Sequence, residues 1–265
     1  MKLQMKIVCL ILSIPLSLLF SCRIVEIPEQ KENIQASTYD LLLLLGDPCL
    51  NTVSDAAIEL QNRSDDDVYL NAKKLFNNNA STGSLVESIY LCRDKVPERI
   101  RELEPYAFNN GQPCVIAAMM DSMVLSGLKP ADQEINSYSQ LLKHDNVTVR
   151  LRAAALLPNC GKDLEVFSTL LAELDNYETH DNYYDEFPAS VVAKQILADW
   201  KPLQGLVRLI NHVKPADPII KYHLIDACAV NAGKNDTYVF SIRGNPTKEM
   251  IEKLDKAAKE LGIGY

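Results

Sequence analysis

The sequence lacks most of the signatures that announce chemistry. It has four His, and none forms an HExxH or HxH group. Its Cys never fall at the CxxC spacing of a zinc or redox site. No Gly-rich loop follows a strand-like run, so a mononucleotide cradle has no place to form. No series of alternating apolar and polar residues marks a sheet. An excess of base is also missing. The formal charge is −8, which argues against nucleic acid or an anionic membrane as principal partner. Ser, His and Asp are all present, but nothing in the sequence pairs them, so no catalytic residue and no cofactor is assigned.

What is present begins at the N-terminus. Lys2 and Lys6 precede an apolar run from Ile7 to Phe20. That run is too short to cross a bilayer comfortably and has the layout of a cleaved signal. It ends in Leu19-Phe20-Ser21-Cys22. These residues resemble the bacterial lipoprotein box, with Leu at −3, a small residue at −1 and then Cys; Phe20 is bulkier than usual at −2. The resemblance implies cleavage between Ser21 and Cys22, diacylation of the Cys22 thiol, and anchoring in the membrane through that lipid. With Arg23 rather than Asp next, it further implies sorting to the outer membrane, facing the periplasm. An ordinary secretory signal with a chance Cys is the alternative. Loss of residues 1–21 removes two Lys and no acid, taking the charge from −8 to −10. Residues 22–36 then read as a lipidated tether.

The remaining chain is organised around His144 to Gly161, HDNVTVRLRAAALLPNCG. Asn146 can cap a helix. Val147, Leu151, Ala154 and Ala155 recur at helical spacing, with Val149, Ala153, Leu156 and Leu157 in the adjoining stripe. So wide an apolar arc fits a helix covered on more than one side. Pro158 stops it. Similar segments start at Pro48, Ser81, Pro113, Pro188 and Pro218. Successive starts are about 33, 32, 33, 42 and 30 residues apart, near the period of helical-hairpin repeats. Shorter apolar stretches between them supply first helices: 39–45, 68–76, 97–108, 131–143, 164–174 and 203–213. The last segment, Lys248 to Leu261, is amphipathic, as a terminal cap must be. Residues 236–243 (DTYVFSIR) fit a degenerate helix or a short strand.

Leu141-Leu142, Asp145, Val149-Arg150, Ala153-Ala154, Leu157 and Gly161 together resemble the HEAT and HEAT-like repeat family. The resemblance implies an α-solenoid used for binding. It also implies that Asp145 and Arg150 link successive repeats and are structural.

Other residues invite a weighing of roles. Cys49, Cys92, Cys114, Cys160 and Cys228 all lie in expected second helices and read as small buried hydrophobes, in a compartment that permits disulfides. His144 reads as a solvated turn residue, while His212 and His223 fall on two helices of one repeat. Asp65-Asp66-Asp67 reads as a solvated turn whose last member caps the next helix. Met119, Met120 and Met123 read as core filling. The long interval of about 42 residues is made by NYETHDNYYDEF, residues 176–187. Insertions in repeats form loops, often on a binding face. Tyr177, Tyr183 and Tyr184, beside Asp181, Asp185 and Glu186, are the candidate partner-binding residues there; the alternative is an exposed polar loop whose Tyr residues pack back on Trp200 or the adjacent helices. A cation site from the three acids fits poorly, because an EF-hand loop needs a central Gly.

The expectation is therefore an all-α chain: an α-solenoid of about six HEAT-like hairpins over 37–265, with an insertion at 176–187 and a C-terminal capping helix. Its expected role is non-catalytic binding or scaffolding of another protein, with no metal and no nucleic acid. Two rivals are an immunity-type lipoprotein that neutralises a toxin and an accessory subunit of a cell-wall or lipid-processing enzyme.

Overall fold

The computed structural model describes residues 36–174, 188–233 and 247–264. Every element among them is helical: α1 (Thr38–Leu44), α2 (Leu50–Gln61), α3 (Asp65–Asn77), α4 (Thr82–Lys95), a 3₁₀ turn (Pro97–Leu103), α5 (Glu104–Asn110), α6 (Pro113–Leu125), α7 (Ile135–Leu141), α8 (Val147–Leu156), α9 (Asp163–Glu173), α10 (Ala189–Ala198), α11 (Leu203–Val213), α12 (Pro218–Asn231) and α13 (Lys248–Leu261). Residues 236–243 lie outside the described residues.

Local chemistry sets the boundaries. Ser64, Ser81, Asn146, Asp217 and Thr247 each turn a side-chain oxygen onto backbone N–H groups of the first turn of α3, α4, α8, α12 and α13, satisfying donors that have no partner inside the helix. Pro158 forbids continuation of α8, which ends at Leu156. Pro105 has the same effect on the stretch expected as one helix over 97–108. It restricts the residue before it and removes an N–H, so the segment splits into a 3₁₀ turn and the short α5. At the C-terminus Gly262 takes a left-handed φ of 71°, and Ile263 N–H donates back to the Ala258 carbonyl at 2.9 Å. This is the Schellman arrangement, with buried Ile263 as its apolar contact.

The contacts between helices follow the chain. α4 packs on α6, α6 on α8, α8 on α10 and α10 on α12, each the second helix of its pair. Each also packs on the helix just before it: α3 on α4, α5 on α6, α7 on α8, α9 on α10 and α11 on α12. α13 covers α12. The core is continuous through these contacts, and Tyr69, Met119, Met120, Met123, Phe167 and Trp200 are among its buried side chains.

The first pair departs from this order. α1 packs on α3 and α4, whereas the extensive contacts of α2 are with α1 alone. The composition explains it. α1 sinks Leu41, Leu42 and Leu45 into the core, but α2 buries only Ala56 and Leu60. Gly46 lets the α1–α2 turn lie flat on the start of α4. A Cβ there would stand 2.6 Å from the Ser84 backbone nitrogen.

The aspartate run also differs from its expected role. Ser64, not Asp67, caps α3. The three Asp occupy the first turn, where the helix dipole favours negative charge. Each reaches a different element: Asp65 pairs with Lys95 at 3.0 Å, Asp66 with Arg99 at 2.7 Å, and Asp67 accepts from the Thr38 hydroxyl.

Candidate polar band along the second helices

Where second helices touch, the side chains are small. Ala118, Ala153, Ala154, Ala193, Ala227, Ser88, Ser122 and Ser190 are buried there and let the backbones approach closely. Into this apolar row the chain inserts single charges. Asp121 stands within VIAAMMDSMVL, Lys194 within VVAKQIL, and Asp226 within HLIDACAV.

These residues meet across the helices. The Tyr90 hydroxyl on α4 donates to the Asp121 carboxylate on α6 at 3.3 Å. Asp121 also holds the Arg152 guanidinium of α8 at 3.1 Å. One carboxylate thus ties three successive second helices. Further along, Lys194 of α10 pairs with Asp226 of α12. Register underlies the pattern. Ser81 to Tyr90, Gln112 to Asp121 and Asp217 to Asp226 are the same interval from N-cap to side chain.

The electrostatics differ along the band. Asp121 and Arg152 keep part of their surface in solvent, with side-chain exposures of 18% and 21%. Asp226 is 1% exposed. Burial pushes its carboxyl above the usual range, and Lys194 pulls in the opposite direction without cancelling it. Its second oxygen has no hydrogen-bond partner. Arg93 lies over the Tyr90 ring at 5.1 Å, extending the band along α4. Since each charge meets an opposite one, the band offers hydrogen-bonding edges and partly exposed side chains in preference to net charge.

Arg150 faces another way. Its guanidinium donates to the His144 and Asp145 carbonyls at 2.7 and 2.8 Å and pairs with Glu173 of α9 at 2.6 Å. Asp145 contributes its backbone oxygen to this link. His144 is half-buried, and its Nδ1 accepts from the Asn146 N–H at 3.0 Å, so it shapes the turn where a solvated side chain was expected. His212 is exposed and His223 buried. The five cysteines of the described residues are free thiols. Cys92 and Cys228 are buried, which raises each to about 12. Cys49 breaks the expectation of burial. It is exposed at the N-cap of α2, and N–H groups of Thr52 and Asn51 lower it.

Ser21 and Cys22 lie outside the described residues, as do Tyr177, Asp181, Tyr183, Tyr184, Asp185 and Glu186. Among the described residues no group of three or more His, Cys, Asp or Glu is placed to hold a metal ion, and no helix is long and apolar enough to cross a membrane. Sequence reasoning passed over Tyr90, Asp121, Arg152, Lys194 and Asp226. The signal was there for three of them: Asp121, Lys194 and Asp226 are each a lone charge inside an apolar helical run, and Asp121 and Asp226 stand at the same interval from the cap. Protein-family models, curated proteins and solved structures were all searched, and none matches this chain.

Proposed function

We propose that this chain is a non-catalytic binding or scaffold protein of the bacterial envelope, held by lipid on Cys22 and built as a HEAT-like α-solenoid. The observation behind the architecture is the spacing of its cross-links. Tyr69–Glu102, Arg99–Asp66 and Arg101–Glu134 each join residues 33 apart, Tyr90–Asp121 joins residues 31 apart, and Lys201–Asn231 joins residues 30 apart. Repeating units stacked in register produce this, because each contacts its neighbours only. The binding face in this reading is the row α4, α6, α8, α10 and α12, with the partly exposed residues of the band, Tyr90, Asp121, Arg152 and Lys194, along it and Asp226 buried beneath Lys194. Solenoids of this kind present extended surfaces for macromolecules. Another protein is the expected partner.

The test is crosslinking and pull-down from the native envelope, with Cys22 intact. One dominant protein partner, lost in Tyr90→Ala or Arg152→Ala, is the expected result. Hydrolysis of a wall or lipid fraction with no partner would replace this reading with an enzyme. A partner encoded beside the chain as a toxin would make it an immunity-type inhibitor. Cys22→Ser with unchanged membrane fractionation would remove the lipid anchor.

A further inference from the structure

The first helices of the described residues carry a surface unlike that of the other described helices. Residues 36–62 contain Asp40, Asp47, Asp55 and Glu59 and no Lys, Arg or His. The same stretch holds Leu43, Leu44, Leu50 and Ile58, four of the nine large hydrophobics exposed among the described residues. Ile58 is 62% exposed, level with Leu125 as the most open of them.

Their arrangement follows from the packing. α4, α6, α8 and α10 each have helices on more than one flank, but α2 is packed extensively on α1 alone. Its inward face is spent on Ala56 and Leu60. Leu50, Ser54 and Ile58 follow at i, i+4 and i+8, so they form one stripe on an outward face. Asp55 and Glu59 stand one residue beyond Ser54 and Ile58 and border that stripe. Asp40 is engaged by the Ser37 hydroxyl and Asp47 by the Cys49 N–H, whereas Asp55 has no hydrogen bond or ion pair among the described residues. Glu59 meets Arg63, a pair with side-chain exposures of 49% and 30% that solvent screens. With Asp55 unengaged and Glu59 in a screened pair with Arg63, this stripe has carboxylates along its border and complements a cationic surface with an apolar ridge. It repels a second copy of itself, because the same acids would face each other across a two-fold contact.

We infer that the outer face of α2 is a docking surface for a basic protein segment, one that sets an apolar side chain between Leu50 and Ile58 and Lys or Arg against Asp55 and Glu59. This surface is separate from the second-helix face, and it stands whether or not that face binds anything.

The probe is a synthetic helical peptide with a Leu stripe flanked by Lys, offered to the full chain in neutral phosphatidylcholine nanodiscs. Amide exchange reports where it binds, and fluorescence anisotropy reports how tightly. Protection confined to 50–62 is expected. Ile58→Asn should weaken binding about tenfold. Asp55→Lys should weaken it several-fold at low salt and much less at high salt. Glu252→Lys, the same charge change on the exposed face of α13, should leave it unchanged. Ile58 is open enough that its variant keeps the fold, which the denaturation midpoint checks. Protection on α6 or α8 instead, equal affinity for all three variants, equal binding of a peptide with Glu for Lys, or concentration-dependent protection of α2 without peptide would each overturn the proposal.

Discussion

Arg150 and Glu173 join α8 to α9 by a pair at 2.6 Å, in which the carboxylate side chain is only 6% exposed. The same guanidinium satisfies two carbonyls of the preceding turn. Removing it takes a close cationic partner from a buried carboxylate and leaves a turn short of donors. Arg150→Ala should therefore destabilise the fold by about 3 kcal/mol. Arg150→Lys should recover little of that, because an ammonium cannot fork to three acceptors. Urea denaturation of both variants checks this, and a cost below about 1 kcal/mol for the alanine variant would show the link to be dispensable.

The Lys194–Asp226 pair predicts a pH dependence of defined sign. Burial raises the Asp226 carboxyl in the folded state, so the fold binds its proton more tightly than the unfolded chain does. Its contribution to stability is most favourable below the unfolded Asp value. It declines as pH rises through that value to the raised folded one, and is then level. Paired depressed carboxylates behave in the opposite way. Asp226→Asn has no such slope, so the stability difference, wild type minus variant, should fall across this acid window and flatten above it. Denaturation midpoints taken in small pH steps supply the measurement. A difference that rises with pH would mean Lys194 outweighs burial.

Much of the helical layout was legible because its determinants are local. Thr247 capping Lys248–Leu261, and Asn146 and Pro158 bounding α8, are properties of a few adjacent residues. What was not legible depends on neighbours distant in sequence. Nothing near Asp65 to Asp67 reveals Lys95, Arg99 and Thr38 as their partners. Nothing near α2 reveals that α1, with Leu41 and Leu42 buried and Leu45 buried just past its end, takes the place against α4. The polar band lies between these cases. Its charges stand out in apolar runs, but the partner of each lies on another helix, 31 or 32 residues away.

The cap of α8 gives a smaller and cleaner test. Asn146 Oδ1 accepts from Thr148 and Val149 N–H groups at 2.9 and 3.3 Å. Asn146→Ala leaves both donors dependent on water and should cost about 1 kcal/mol. Asn146→Asp keeps the acceptor and adds charge at the positive end of the helix, so it should match or exceed wild type. Thermal or chemical denaturation that ranks the alanine variant level with the aspartate one would contradict the geometry.

The thiols should sort by environment. Cys92 and Cys228 are buried and raised to about 12, so almost none of either is thiolate at pH 8, and no reagent reaches them without local opening. Cys49 is exposed and lowered by the N–H groups at the start of α2. A brief pulse of iodoacetamide on the folded, reduced protein should label Cys49 first and leave Cys92 and Cys228 unlabelled by peptide mass analysis. Unfolding in guanidinium before the pulse should abolish the difference. Labelling of Cys228 at the rate of Cys49 in the folded protein would mean that α12 separates from α10 readily, and the Lys194–Asp226 contact could not then be holding those helices together.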